Sequence, residues 1–309
     1  MHCRQCLVII LLFLLLLPII NAEQVDSKHD NQHQQRTIPA SPSDIETYSI
    51  TPDTSSSSFQ HILNSATQGS TIYVNPGIYT EQLHIKQSIT LIGTDPENTI
   101  FKVYAPKNSY VVHISAPYVH LQGITITNTG PGIYATGIKI TAPHSTISHC
   151  IFQDTPIGIA VWSSYNTIEN SCFYHCDDEG IVFLGTSLSA CEKNTITSCL
   201  FQHNCDGIEL QNSNDIQIAD CSFQKNTHAG IDAIGLQNSA ITVSNCDFRE
   251  NHAFDIYDAT HQAVVIEPST GDSRNVLALQ GIIQKIREVQ GLRPWLYRIS
   301  SLLEQYQVA

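Results

Sequence analysis

Five short phrases decide the fold: Gly137-Ile138-Lys139-Ile140, Gly158-Ile159-Ala160-Val161, Gly180-Ile181-Val182-Phe183, Gly207-Ile208-Glu209-Leu210 and Gly230-Ile231-Asp232-Ala233. They recur at intervals of 21, 22, 27 and 23 residues, and a weaker copy, Phe254-Asp255-Ile256-Tyr257, follows 24 residues later. A second phrase alternates with the first: Ile147 to Phe152, Ile168 to Phe173, Ile196 to Phe201, Ile218 to Phe223 and Val243 to Phe248, its apolar pair five residues apart each time. Period-two alternation puts Ile138 and Ile140 on one side of a strand and Lys139 on the other. No part of the repeat carries ten residues of helical periodicity, which weighs against a leucine-rich repeat. Coils this small cannot bury a face alone. Stacked ~4.8 Å apart, they satisfy one another's strand edges and bury continuous Ile, Val and Phe columns. The expectation is an all-β parallel solenoid of coils 21–27 residues long over residues 59–272.

Outside the repeat the composition changes. Arg4 precedes an unbroken apolar run from Leu7, and Pro18-Ile19-Ile20-Asn21-Ala22 follows it, the pattern of a secretory signal cut after Ala22. Leu7 to Ile20 is 14 residues, short of the ~20 a bilayer-spanning helix needs. The chain is therefore expected to be secreted, extracellular or periplasmic, and not membrane-spanning after cleavage. Residues 23–58 are rich in Gln, His, Ser and Thr and poor in apolar groups, so they read as a disordered polar linker. After Gly271 the pattern becomes helical: Val276, Leu279, Ile282, Ile283 and Ile286 share one face, and Trp295, Leu296, Ile299, Leu302 and Leu303 another. Residues 273–309 are expected to be a short C-terminal helical cap on the last coil.

Charge limits the partners. Residues 1–22 hold Arg4 and no acid, so 15 Lys+Arg become 14 against 28 Asp+Glu, a formal −14. That excess opposes nucleic acid and anionic membranes, and a polyanionic sugar would need a bridging divalent cation. A monomer is expected. Ten cysteines minus Cys3 and Cys6 leave eight, which an exported chain can oxidise.

The stretch Ser70-Thr-Ile-Tyr-Val-Asn-Pro-Gly-Ile-Tyr-Thr-Glu-Gln-Leu-His-Ile-Lys-Gln-Ser-Ile-Thr-Leu-Ile-Gly93 resembles the first coil of pectin-lyase-like right-handed β-helices. It is especially similar to pectin methylesterases and to the NosD-type carbohydrate-binding repeat proteins. The later Asn-x-Ile, Phe and Gly-Ile phrases resemble the parallel β-helix repeat of that superfamily. The resemblance implies a right-handed parallel β-helix and a polysaccharide or glycan partner. It leaves the activity open, because lyases, hydrolases, esterases, epimerases and non-catalytic binders share the fold.

One corner of the repeat concentrates the chemistry. Successive coils supply His175-Cys176-Asp177-Asp178-Glu179, then His203-Asn204-Cys205-Asp206, then Lys225, Asn226 and His228. The adjoining strands add outward Glu209 and Asp232. Only 14% of residues are charged, so this clustering stands out. Asp177, Asp178, Asp206 and Asp232 could hold Ca²⁺ through oxygen. Alternatively, Asp178, Asp206, Glu209, Asp232 and His203 could act as acid and base on a sugar, their pKa values pushed apart by mutual repulsion. His175, Lys225, Trp162 and Tyr174 are candidate substrate contacts. A set mixed from His175, His203 and His228 would suit a transition metal, and NosD kinship would make that copper in a periplasmic accessory protein. Turns of β-helices also favour Asp and Asn for backbone reasons, which would make the chain a non-catalytic surface solenoid.

Cys150, Ser171, Cys199, Cys221 and Cys246 each lie two residues before a repeat Phe and read as a buried thiol column, whereas Cys176 and Cys205 are the candidate disulfide. Two motif echoes are incomplete. Asp177-Asp178 is loosely similar to the acids of polygalacturonases, whose Asn-Thr-Asp and Gly-His-Gly motifs are missing. Gln153-Asp154-Thr155 is similar to a pectin methylesterase motif, but Ile181-Val182-Phe183-Leu184-Gly185 lacks the Asp its partner motif requires. Leu292-Arg293-Pro294-Trp295 echoes a third esterase motif in the tail, far from its expected coil.

Overall fold

A computed structural model of the chain describes residues 46–52, 58–130, 134–186 and 189–267. The signal, most of the expected linker and the C-terminal helical segment lie outside these residues. The described strands form three parallel sheets, here called A, B and C, that the chain visits in turn on each coil. Sheet A runs from Thr47–Ile50 to Val264–Glu267 and sheet B from Gly77–Tyr79 to Asp247–Arg249. Sheet C, the Gly-Ile sheet, runs from Leu83–Ile85 to Phe254–Asp258. The chain is a parallel β-helix.

The core follows the repeat. Ile138, Ile159, Ile181, Ile208 and Ile231 are successive register partners in sheet C, and all are fully buried. In sheet B the rings of Phe152, Phe173, Phe201, Phe223 and Phe248 stack with centroids 4.7, 4.8, 4.9 and 4.9 Å apart. That spacing equals the ~4.8 Å coil rise, so backbone hydrogen bonding and ring stacking are satisfied by one geometry. The glycine opening each sheet C phrase makes room for these rings. A Cβ on Gly207 would sit 2.6 Å from Phe223 Cδ1 and 2.5 Å from the carbonyl oxygen of Gly230.

Side-chain amides hold the corners. Between sheets B and C, Asn204 Oδ1 accepts from Cys176 N at 2.9 Å, Asn226 Oδ1 from Asn204 N at 3.1 Å, and Asn251 Oδ1 from Asn226 N at 3.2 Å. Their Nδ2 groups donate to the carbonyls of Phe173, Phe201 and Phe223. This amide ladder overturns the expected disulfide. Cys176 stacks over Asn204, Cys205 stands one residue on and donates its N to Asp178 O, and all eight described cysteines are free thiols. The thiol column at the corner between A and B does form, Cys199, Cys221 and Cys246 donating Sγ to carbonyls two residues earlier at 3.3, 3.2 and 3.3 Å.

The N-terminal edge differs from expectation. Thr47–Ile50 falls inside the expected linker yet is a strand, paired in parallel with Thr71–Val74 and burying Ile50 in the core. Phe59–Ser65 is a helix, capped by Ser58 Oγ and by the Glu81 carboxylate, which accepts from Phe59 N at 2.8 Å. The Gln60 side chain donates to His84 O at 2.9 Å and accepts from His84 N at 2.6 Å, standing in for a missing strand at the first rung of sheet C. Among the described residues, no helix is long and apolar enough to cross a membrane.

Candidate functional site

The outward face of sheet C carries one continuous column of register partners. His84, His113, Lys139, Ala160, Val182, Glu209, Asp232 and Tyr257 follow one another rung by rung. Glu209 and Asp232, which the alternation turns away from the core, are nevertheless 6% and 4% exposed. Asp206 and Glu179, register partners that open the strands Asp206–Gln211 and Glu179–Leu184, are buried too. Four carboxyls on three successive coils are therefore withdrawn from water.

Their contacts are specific. Asp206 Oδ1 accepts from His228 Nδ1 and from Ala229 N, each at 2.8 Å. His228 Nδ1 also lies 3.6 Å from Oδ2 of Asp232, four residues on in the strand Ala229–Ala233. The facing atoms of Asp206, His228 and Asp232 all lie within 4.8 Å of one another, so this group has the spacing of a metal-binding triad. Glu209 accepts from the Gln211 side chain. Asp232 Oδ1 is buried with no hydrogen-bond partner among the described residues. An orphaned buried carboxylate oxygen costs free energy unless a proton, a cation or a ligand meets it.

The electrostatics follow from this packing. Burial pushes the Glu209 carboxyl up to about 8; the Gln211 amide opposes the shift, and the charges of Asp232, Asp206 and Asp178 add to it. Burial also pushes Asp232 up to about 7, reinforced by Asp206 and opposed by His228. His228 is raised, first by its hydrogen bond to Asp206 and against its own partial burial. Acids held near neutrality beside an imidazole can exchange protons at working pH.

The structure divides the residues expected from sequence. Asp206, Glu209 and Asp232 come together with His228, and the charge of Asp178 acts on Glu209. Asp177 is exposed and takes no part in the triad. His175 and His203 sit at left-handed corner positions, φ 54° and 59°, and their rings pack on each other at 5.2 Å and on Tyr174 at 4.1 and 5.7 Å. This makes a separate aromatic patch on the side of sheet B. Burial, followed by the charges of His175 and Lys225, lowers His203 below its ordinary pKa. Lys225 Nζ is 3.9 Å from Glu250. Trp162 is half-exposed beyond the opposite end of a sheet C strand, with Lys139 Nζ 5.8 Å from its ring centre. Gln211 was not anticipated, although its spacing of two from Glu209 on one strand places both on the same face.

The donor set also tests the expected calcium. Ca²⁺ takes six to eight oxygens, whereas here an imidazole nitrogen stands between the two carboxylates. A calcium site at this corner does not fit the residues present.

A model described as "Right handed beta helix region" matches residues 97–248 and 184–270, together more than half of the chain. The chain belongs to the right-handed β-helix family. Among solved structures, the β-helix is similar to a pectate lyase, Pel9A, at 16% identity and TM-score 0.53, covering 74% of this chain and 79% of that one. It is also similar to an alginate lyase from Paenibacillus sp. str. FPU-7, at 18% identity and TM-score 0.50, covering 68% and 80%. At these identities the likeness is one of fold, of the pectin-lyase-like kind. No curated protein matches the sequence.

Proposed function

We propose that this β-helix is an exported protein that binds a polysaccharide along the outward face of sheet C and acts on it with the carboxyls of Glu209 and Asp232. One observation carries the reading: two acids on adjacent coils are buried on a face that points out of the solenoid, one of them with an oxygen that has no hydrogen-bond partner among the described residues. A purely structural coil gains nothing from burying them, and the column above them, Val182 and Ala160, shows that this face tolerates small apolar residues. With Glu209 near 8, its carboxyl is protonated at neutral pH and can donate to a leaving glycosidic oxygen. Asp232, near 7, can take a proton from water or from a sugar carbon. Asp206 orients His228 and so sets the charge beside Asp232. Trp162, at the end of a sheet C strand, offers an exposed ring on which a sugar can stack. The pectate and alginate lyases of the same fold, together with the signal-like N-terminus, support an extracellular or periplasmic glycan as the partner.

The test is a glycan array followed by turnover of the bound polymers by wild type, Glu209→Gln and Asp232→Asn. Unsaturated ends absorbing in the ultraviolet mark a lyase, new reducing ends alone a hydrolase, and altered sugars without shortening an epimerase. Turnover should fall at least ~100-fold in either variant, the range for removing one acid or base group. A wild type that engages no glycan, or variants that turn one over as fast as wild type, would overturn the reading.

A further inference from the structure

We infer that Asp206, His228 and Asp232 form a site for a divalent transition-metal ion of the zinc type, rather than for calcium. The inference goes beyond the polysaccharide reading and does not require glycan binding; the proton-transfer role of Asp232 belongs to the metal-free chain. It starts from geometry. Two ligands bound to one ion at ~2.0–2.2 Å stand roughly 3–3.5 Å apart when the angle between them is near 90–110°. His228 Nδ1 lies 2.8 Å from Asp206 Oδ1 and 3.6 Å from Asp232 Oδ2, bracketing that separation. All three donor atoms fall within 4.8 Å of one another.

The second observation is independent. Asp232 is 4% exposed, and its Oδ1 has no hydrogen-bond partner among the described residues. A cation held by both oxygens of Asp232 would meet Oδ1 as well as Oδ2, the oxygen that faces His228. Asp206 is already fixed by the backbone, because Ala229 N donates to its Oδ1 at 2.8 Å, the kind of outer contact that orients a metal-binding carboxylate. His228 is only half-buried, which leaves a route in from solvent. The ligand type selects the ion. One imidazole and two carboxylates suit zinc or manganese, while calcium and magnesium favour sets made only of oxygen. Binding must displace the proton shared between His228 and Asp206, so affinity should fall as the pH is lowered.

The experiment titrates Zn²⁺, Mn²⁺ and Ca²⁺ separately into the chelator-treated full chain by calorimetry, with melting temperature read in parallel. Zinc is expected to bind at one ion per chain and raise the melting temperature, more at pH 7.5 than at pH 5.5. His228→Gln and Asp232→Asn should each weaken binding at least about tenfold, as loss of a metal ligand does. His203→Gln should leave it unchanged, which separates this site from zinc caught by surface histidines. Circular dichroism verifies that each variant is folded. Calcium binding as tight as zinc, zinc binding unaffected by His228→Gln, or no binding at all would each overturn the site and leave a proton-sharing triad. Glycan binding by the metal-free chain is scored separately, so that loss of the metal proposal and loss of the polysaccharide reading give different results.

Discussion

Glu209 and Asp232 are register partners on adjacent coils, facing outward together, and both carboxyls are buried. Their raised pKa values, about 8 and about 7 against ordinary values of 4.5 and 3.8, make the fold depend on pH in a definite direction. Between those limits the folded chain holds more protons than the unfolded one, so stability falls as pH rises. The contribution is complete below about pH 4 and is lost on passing pH 7 to 8. Metal-free protein should therefore melt higher at pH 5 than at pH 8. Glu209→Gln, which keeps an oxygen for Gln211, should flatten that slope and stabilise the chain at pH 8 by about 1–3 kcal/mol. A variant with the wild-type slope would show that Glu209 ionises freely.

Truncating Phe201 to Ala should cost ~3–5 kcal/mol, because it opens a cavity between Phe173 and Phe223 in a stack that cannot close without breaking the coil spacing. Denaturant unfolding measures this. A loss below 1 kcal/mol would mean that the stack relaxes.

How far the sequence reveals these features depends on what repeats. The Ile and Phe columns were legible because each coil restates them, and so was the equivalence of Glu209 and Asp232. Burial of the acids was not, since alternation says only that they point away from the core. The partnership of His228 with Asp206 depends on corner geometry, which sets residue 228 against the carboxylate of the previous coil. A one-residue offset at the same corner put Cys205 out of line with Cys176. Coil lengths varying from 21 to 27 residues hide such offsets. The strand at Thr47–Ile50 escaped notice because Tyr48 and Ile50 are its only large apolar residues, and its edge pairing does the rest.

Asn226 joins three coils: it donates to Phe201 O at 3.4 Å and Asn251 Oδ1 at 2.9 Å and accepts from Asn204 N at 3.1 Å. Asn226→Ala should cost about 1–3 kcal/mol for each buried group left unpaired, and more than Asn251→Ala at the end of the ladder. Equal costs for the two positions, measured by the same unfolding assay, would show that the ladder does not act cooperatively.

The described thiols should be inert while the chain is folded. Burial pushes Cys150 and Cys172 up to about 12, so little thiolate exists at neutral pH. Reductant should leave the melting temperature unchanged, and alkylation should be slow until guanidinium is added. Cys246, half-buried at the end of the thiol column, is the most accessible of them, but its hydrogen bond with Cys221 and its burial push it up as well. A drop in melting temperature on reduction would reveal a disulfide and restore the pairing that the register rejects.

The last prediction concerns the C-terminal end. Val243 and Ile266 are register partners in sheet A, yet Val243 is 1% exposed and Ile266 64%. The inner column thus emerges into solvent at the last described coil. Among the described residues each sheet also ends there on a strand with one neighbour, at Val264–Glu267, Asp247–Arg249 and Phe254–Asp258. Open edges beside exposed apolar side chains pair with other chains. Residues 273–309, with the two apolar helical faces expected from Val276 to Tyr306, are proposed to cover this end. A chain ending at residue 272 should keep its β-sheet circular dichroism but associate as its concentration rises, as read by light scattering. Adding Ile266→Lys to the truncated chain should reverse much of that association by placing a charge on the open edge. Association that ignores the lysine would move the sticky surface elsewhere, and a truncated chain that stays monomeric would show that the tail serves another purpose.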